Sequence, residues 1–171
     1  RLNLELNKTP VVAVLKKHMP EGQRKIIVFC SSIEDIQYAK DTMKEYQADL
    51  DIRDITSKKD KQYIKDTKDW FNKTTDHNVC LVTVGMVNEG AHYEGVNTLV
   101  MFRRTKSSTL YLQQLGRVVV TTKKANPNGI VFDFTNNADN LINNQTVTIY
   151  HNDADVNNSA TEDAIKRIKN V

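Results

Sequence analysis

The 171-residue chain is long enough to bury a substantial core as one domain, and it is too short for two full-sized domains. Its content of 39% hydrophobic and 26% charged residues is ordinary for a globular protein, which excludes the disordered and fibrous classes. No apolar run approaches the length that crosses a bilayer, and the first residues do not resemble a secretory signal. Because the chain begins at Arg1 rather than at Met, we expect an excised fragment of a longer parent.

Basic and acidic residues are separated along the chain, although the net charge is only +3. Between Gly95 and Phe132 there are six basic residues and no acidic one, whereas residues 133–165 contain six acids and no Lys or Arg. A field with this polarity can steer a polyanion to one face of a protein. A solvated charged surface is the commoner origin of such runs, so the asymmetry only supports other observations.

Apolar runs of strand length alternate with segments of helical periodicity, which is the pattern of repeated βα units around a parallel sheet. The first helix is expected to begin with Thr9 as its cap and Pro10 at its first helical position. In chain order, the pattern predicts a helix at 9–18, a strand at 26–30, a helix from Ser31-Ser32 onward, a strand at 50–55, a helix at 58–73, strands at 79–83 and 98–102, a helix at 108–119, a turn at 126–129 and a strand at 130–134.

After Phe134 the sequence becomes Asn-rich and weakly periodic, with a strand-like run at 146–150 and a predicted helix at 161–169. We therefore divide the chain into one α/β domain, residues 1–134, and an acidic extension or linker, residues 135–171. Cys30 and Cys80 lie in apolar strand-like runs without a neighbouring Cys or paired His. They are predicted to be buried, reduced thiols with no metal, which suits a cytoplasmic protein.

Two stretches near the middle of the chain carry the residue types that hold phosphates. The strand at 79–83 ends at Thr83 and is followed by Asn88-Glu89-Gly90-Ala91-His92. A basic loop, Arg103-Arg104-Thr105-Lys106-Ser107, then precedes a helix that contains Gln113, Gly116 and Arg117. Hydroxyl, backbone N–H and guanidinium donors would thus lie along one edge of the sheet.

This ordered set resembles motifs V and VI in the C-terminal RecA-like domain of superfamily 2 helicases of the DEAD/DEAH type, within the restriction-enzyme-like subgroup. The strand at 26–29 with Cys30-Ser31 resembles motif IV of the same family. The resemblance covers about residues 25–134 and implies a RecA-like three-layer α/β domain, with a mostly parallel central sheet flanked by helices. Because it rests on several motifs in the right strand and helix context, it is more specific than any single motif.

On the nucleic-acid side, the resemblance implies that Ser31, Thr83, Arg103 and Lys106 contact the strand backbone of DNA or RNA, with a single strand favoured. Ser31 or Ser32 has an equally good structural explanation as a helix N-cap. The two roles are compatible because free N–H groups at a helix start bind anions.

On the nucleotide side, the resemblance implies that Gln113 and Arg117 act in catalysis and that Gly90, His92 and Gly116 lie against the cofactor. His92 stands where the family usually has Asp, and it is equally well explained as an ordinary turn residue. The final Arg of motif VI is replaced by Val120. An arginine finger is worth roughly three to five powers of ten in turnover, so this replacement bears directly on activity.

The chain lacks a Gly-x-x-x-x-Gly-Lys-Ser/Thr loop and an Asp-Glu-x-His/Asp run, the parts that bind ATP phosphates and Mg²⁺. In the family these parts belong to the N-terminal RecA-like domain of the same parent chain, so this chain alone is not expected to hydrolyse ATP. The leading interpretation is the second motor domain of an ATP-dependent helicase or translocase. The alternatives are a non-catalytic nucleic-acid-binding or scaffold module from a degenerate helicase, and a free-standing doubly wound domain with a small-molecule site.

Overall fold

A computed structural model describes residues 8–85, 93–105, 107–121, 124–125 and 129–137; of residues 8, 9, 108, 117–121 and 124–125 only the backbone is described. The helices are α1 (Lys8–His18), α2 (Asp35–Tyr46), α3 (Lys61–Lys73) and α4 (Ser108–Val119). The strands are β1 (Lys25–Phe29), β2 (Asp51–Ile55), β3 (Val79–Thr83), β4 (Thr98–Met101), β5 (Val120–Thr121), β6 (Lys124–Ala125) and β7 (Ile130–Asp133). No helix in these described ranges is long and apolar enough to cross a membrane.

The main sheet has five strands in the order β2-β3-β1-β4-β7, and every neighbouring pair is parallel. Phe29 at the end of β1 is level with Thr83 on one side and Met101 on the other. All residues of β1 and β3 are buried, as expected for inner strands of a parallel sheet covered on both faces. The prediction of a parallel α/β sheet is therefore confirmed.

Two hydrophobic cores lie on opposite faces of this sheet because successive strand side chains point to opposite sides. Helices α1 and α2 cover one face, where Leu15 and Met43 pack against Val28. Helices α3 and α4 cover the other face, where Phe71 and Tyr111 are fully buried. The predicted βα alternation thus produces three layers, with the sheet in the middle.

The start of α2 differs from the sequence prediction. Helix α2 begins at Asp35, with Glu34 at the N-cap position and no side-chain cap hydrogen bond, so the prediction that Ser31 or Ser32 caps this helix is wrong. The backbone N–H of Ser32 instead donates to Asp35 Oδ2 at 2.9 Å. The carboxylate in the first turn reaches back to the preceding loop, which frees Ser31 from a capping role.

Two other helix starts also shift. Helix α1 begins at Lys8, one residue before the predicted cap, and Pro10 still lies in the first turn, where its missing N–H removes no helical hydrogen bond. Helix α3 begins at Lys61 because Asp60 Oδ1 accepts a hydrogen bond from the Tyr63 N–H at 2.8 Å. A capping carboxylate therefore sets the boundary of α3.

The sequence reading missed the short antiparallel hairpin of β5 and β6, in which Val120 pairs with Ala125. Helix α4 ends at Val119, so Val120 belongs to a strand and not to the helix that carries Gly116. The run of three valines at 118–120 favours a strand over a helix. The strand and helix predicted at 146–150 and 161–169, and most of the predicted turn at 126–129, lie outside the described residues.

Cys30 and Cys80 are free and buried, as predicted. Burial raises the pKa of the Cys30 thiol to about 12, with a smaller contribution from Asp35, and burial also raises the pKa of Cys80. Both thiols therefore stay protonated at neutral pH and act as small apolar side chains.

Candidate functional site

The carboxyl ends of all five strands in the main sheet lie at one edge, because the strands are parallel. Two backbone hydrogen bonds hold the ends of β1, β3 and β4 together. The N–H of Cys30 donates to Thr83 O, and the N–H of Phe102 donates to Phe29 O, both at 2.9 Å. The chain thus brings three of the predicted nucleic-acid residues, Ser31, Thr83 and Arg103, to this edge.

Thr83 is fully buried, and its Oγ1 has no hydrogen-bond partner among the described residues. A buried hydroxyl without a partner costs about 1–3 kcal/mol, so this atom needs a donor or acceptor that the described part of the fold does not provide. The residue lies at the point where β3 runs toward residues 86–92, which the structure does not describe. The role of Thr83 in nucleic-acid binding stays a prediction.

Ser31 lies on the exposed side of the same edge. Its Oγ donates to the carbonyl of Phe102 at 3.3 Å, which ties the loop after β1 to the end of β4. The hydroxyl oxygen keeps its acceptor capacity toward solvent. Ser31 is therefore an exposed polar group between two strand ends rather than a helix cap.

Arg103 follows β4 and is half-buried. Its Nη1 lies 3.9 Å from the place where a side chain on Gly85 would begin, so the guanidinium lies over the loop after β3. Gly85 has a φ of +75°, a conformation that glycine adopts without strain. Together they place a cation over the loop that follows β3, and Arg104 adds an exposed second charge next to it in sequence.

Helix α4 presents Gln113 and Gly116 to the outside, whereas Tyr111 and Leu115 are buried against the sheet. Ser107 precedes the helix, and its Oγ accepts a hydrogen bond from the Leu110 N–H at 3.2 Å, which is typical of an N-cap. A side chain added at Gly116 would meet no atom of the described residues within 4 Å. The fold therefore does not itself require glycine there.

Several predicted site residues fall where the structure gives no side chain. Gly90, His92 and Lys106 lie outside the described residues. Arg117 is placed in α4 by its backbone, one residue after Gly116, and its side chain is not described. The roles of these four residues stay predictions.

Sequence reasoning missed the polar residues that surround the basic loop after β4. Asp133, Thr135 and Asn137 accept or donate hydrogen bonds around Arg103 and Thr105. Their only sequence signal was an Asn-rich composition, which is typical of linkers as well. In the described ranges, no group of three or more His, Cys, Asp or Glu residues could hold a metal ion.

Five parallel strands with helices on both faces and polar residues at the carboxyl edge define a RecA-like α/β domain. Residues 10–122 match the family described as "Helicase conserved C-terminal domain", and the chain belongs to that family. It is thus the C-terminal RecA-like domain of a superfamily 2 helicase, as predicted. The restriction-enzyme-like subgroup is not tested by these matches and stays a prediction.

Solved structures of helicase domains have the same fold. Mss116p DEAD-box helicase domain 2 bound to an RNA duplex superposes with a TM-score of 0.62 at 16% identity, over 97% of this chain and 66% of that one. The C-terminal domain of the DEAD-box protein Dbp5 gives a TM-score of 0.58 at 18% identity, over 81% of this chain and 76% of that one. At these identities the likeness establishes the fold alone.

One curated relative is DEAD-box ATP-dependent RNA helicase 50 from Oryza sativa subsp. japonica, 26% identical over 115 residues. The match covers 65% of this chain and 18% of the relative. The chain therefore spans only a small part of the length of that protein.

Proposed function

We propose that this domain is the second motor half of an ATP-dependent helicase or translocase. It grips one nucleic-acid strand at the carboxyl edge of its sheet and presents Arg117 to ATP held by the N-terminal RecA-like domain of the parent chain. The observation that carries the proposal is the convergence of Ser31, Thr83 and Arg103 at that edge, where Ser31 is exposed and Arg103 is half-buried.

The nucleic-acid contact would be made to the strand backbone. A serine hydroxyl and an arginine are phosphate ligands that carry no base information by themselves. Arg103, Arg104 and Lys106 add positive charge in one short loop, so binding would be weak, sequence-independent and sensitive to salt. DNA and RNA backbones both satisfy these contacts, and Mss116p domain 2 in complex with an RNA duplex favours RNA as the first substrate to test.

The nucleotide contact would be made by the outer side of α4. Gln113 and Gly116 are exposed, and the space beside Gly116 is open, so this surface fits a phosphate-bearing partner that approaches closely. ATP and Mg²⁺ would supply the phosphoryl-transfer chemistry and would be held mainly by the absent N-terminal domain. The part of this chain would be to place the Arg117 charge near the γ-phosphate, where it stabilises the transition state.

The curated relative supports this proposal because its name describes an ATP-dependent RNA helicase. The free, buried thiols of Cys30 and Cys80 support a reducing cytoplasmic compartment. Activity, substrate and location of the parent protein are part of the proposal.

The test is Arg117→Ala in the full-length parent. We expect nucleic-acid-stimulated ATPase to fall by about 10³–10⁵-fold while single-strand affinity stays nearly unchanged, because the charge acts in the transition state. Lys65→Ala is the charge-matched control, since Lys65 is exposed on α3. ATPase is followed by phosphate release and affinity by fluorescence anisotropy. Substantial ATPase in the Arg117 variant would contradict the proposed role.

A second candidate is a non-catalytic nucleic-acid-binding or scaffold module. The observation that favours it is Val120, which replaces the final Arg of motif VI and lies in β5 opposite Ala125 rather than on α4. A parent that binds single strands at low salt but shows no stimulated ATPase would support the scaffold over the motor.

A further inference from the structure

We propose that Asn137 is the positioning residue that holds the basic loop, residues 103–107, in its nucleic-acid-binding conformation. This inference rests on the proposed function of that loop and adds a residue that lies beyond the matched family region, residues 10–122.

Asn137 contacts both sides of the loop through its side chain. Its Oδ1 accepts the backbone N–H of Thr105 at 2.9 Å, and its Nδ2 donates to the carbonyl of Arg103 at 2.8 Å. Asn137 is fully buried, and Thr105 is 6% exposed. One neutral amide therefore supplies an acceptor for the Thr105 N–H and one of the donors to the Arg103 C=O, the two backbone groups that flank Arg104.

A second layer of hydrogen bonds fixes Asn137 itself. Its Nδ2 lies 2.8 Å from Thr135 Oγ1 and 3.3 Å from Asp133 Oδ1, and the Thr135 hydroxyl is 3.0 Å from the same Arg103 carbonyl. The other carboxylate oxygen of Asp133 accepts the hydroxyl of Tyr111, on α4, at 3.1 Å. The network thus connects β7, the basic loop and the motif VI helix.

The physical need for this network follows from the charge of the loop. Arg103 and Arg104 are neighbouring like charges, which disfavours holding them close together. Their backbone and long side chains also gain conformational entropy when the loop is released. A loop that is ordered before binding loses less freedom when it contacts a phosphate backbone. Asn137 therefore raises affinity without touching the nucleic acid.

The first measurement is amide hydrogen exchange of the 171-residue chain by NMR. Asn137→Ala should speed exchange of the Thr105 amide by at least about tenfold while amides inside β1 and β3 stay protected. Gln62→Ala is the control, because this exposed amide on α3 bonds Asp66 of the same helix at 2.7 Å, away from the basic loop. Unchanged exchange at Thr105 in the Ala variant would overturn the proposal.

The second measurement is affinity for a fluorescein-labelled oligouridylate at low salt. Asn137→Ala should weaken binding by about five- to tenfold, with Gln62→Ala unchanged. Asn137→Asp keeps the acceptor for Thr105 but places a second carboxylate beside Asp133, which raises the pKa of the introduced group. Relative to the unsubstituted chain at each pH, its affinity should recover as the pH falls and the protonated carboxyl becomes a donor. If the Asp variant lost affinity only because its fold was destabilised, lowering the pH would not restore that affinity.

The two measurements separate this inference from the proposed function. Faster Thr105 exchange with unchanged affinity, in a chain that binds the oligonucleotide, would overturn the positioning role and leave the proposed function intact. If the unsubstituted chain shows no salt-sensitive binding, the proposed function fails and the positioning role fails with it. If Asn137→Ala does not fold, the affinity of Asn137→Asp is the test. Recovery of that affinity at lower pH supports the positioning role, and no recovery overturns it.

Discussion

Individual charged residues in this domain are buried where backbone carbonyls surround them. Lys25 is 6% exposed, and its Nζ donates to the carbonyls of Phe71 and Asn72 at 2.9 Å each, at the end of α3. Burial lowers the pKa of Lys25, and the nearby Glu94 offsets part of that effect. A cation at a helix C-terminus is favourable, so Lys25 joins the start of β1 to the end of α3.

Gly116, unlike Lys25, does not join elements of the fold. Glycine in a helix interior costs roughly 0.5–1 kcal/mol relative to alanine, and no atom of the described part of the chain lies within 4 Å of where its side chain would begin. Gly116→Ala should therefore stabilise the isolated chain by about that amount in chemical denaturation. In the full-length parent, the same change should lower stimulated ATPase, because a methyl group would fill the space proposed for close approach. A parent with full ATPase would show that Gly116 has no part in the nucleotide site.

At the scale of elements, α3 shows how a single polar residue fixes a helix boundary. Apolar periodicity alone allows a start near residue 58, but the helix begins at Lys61 because Asp60 accepts the Tyr63 N–H. The exposed pair Asp69 and Lys73, 3.6 Å apart on the same helix, is a surface ion pair that solvent screens.

These two carboxylates make a matched test. Asp60→Ala should lower the free energy of unfolding by about 0.5–2 kcal/mol, because it leaves an N-terminal N–H of α3 without its partner. Asp69→Ala removes the same group from the same helix and should cost less than about 0.5 kcal/mol. Urea denaturation followed by circular dichroism measures both. Equal losses would show that Asp60 acts through charge alone rather than as a cap.

At the scale of the whole molecule, the central sheet depends on aromatic contacts that join helices to loops. Phe71 is fully buried and meets Trp70 and Tyr93 in edge-to-face geometry, with ring centroids 6.1 and 5.8 Å away. It therefore links α3 to the segment that leads into β4.

Phe71→Ala should be among the most damaging single changes, with an expected loss of about 3–5 kcal/mol out of a typical total of 5–15 kcal/mol. Ile64→Ala, on the same helix but only partly buried, should cost less than about 2 kcal/mol. Thermal and denaturant unfolding of the chain give both values. If Phe71→Ala lowered the free energy of unfolding no more than Ile64→Ala, the surrounding core would have relaxed to fill the cavity left by the ring.

What the sequence by itself determined were the strands of the main sheet, the class and the family. The buried strands at 79–83 and 26–29 were predicted within about one residue, because continuous apolar runs between polar segments leave few other structures. The helix at 108–119 was predicted with the observed bounds. Motif order then indicated a helicase C-terminal domain, since ordered short motifs are local in sequence.

Only the tertiary structure decided what the polar residues near the site do. Ser31 was equally well explained as a cap and as a site residue, and the start of α2 at Asp35 excluded the cap. Its hydroxyl instead donates to the carbonyl of Phe102, 71 positions away. Asn137 had no local signal, because its partners at Arg103 and Thr105 become neighbours only when β4 and β7 pair in parallel. Periodicity is a property of nearby residues, whereas a hydrogen bond between distant segments depends on the register of the sheet, which the sequence does not state.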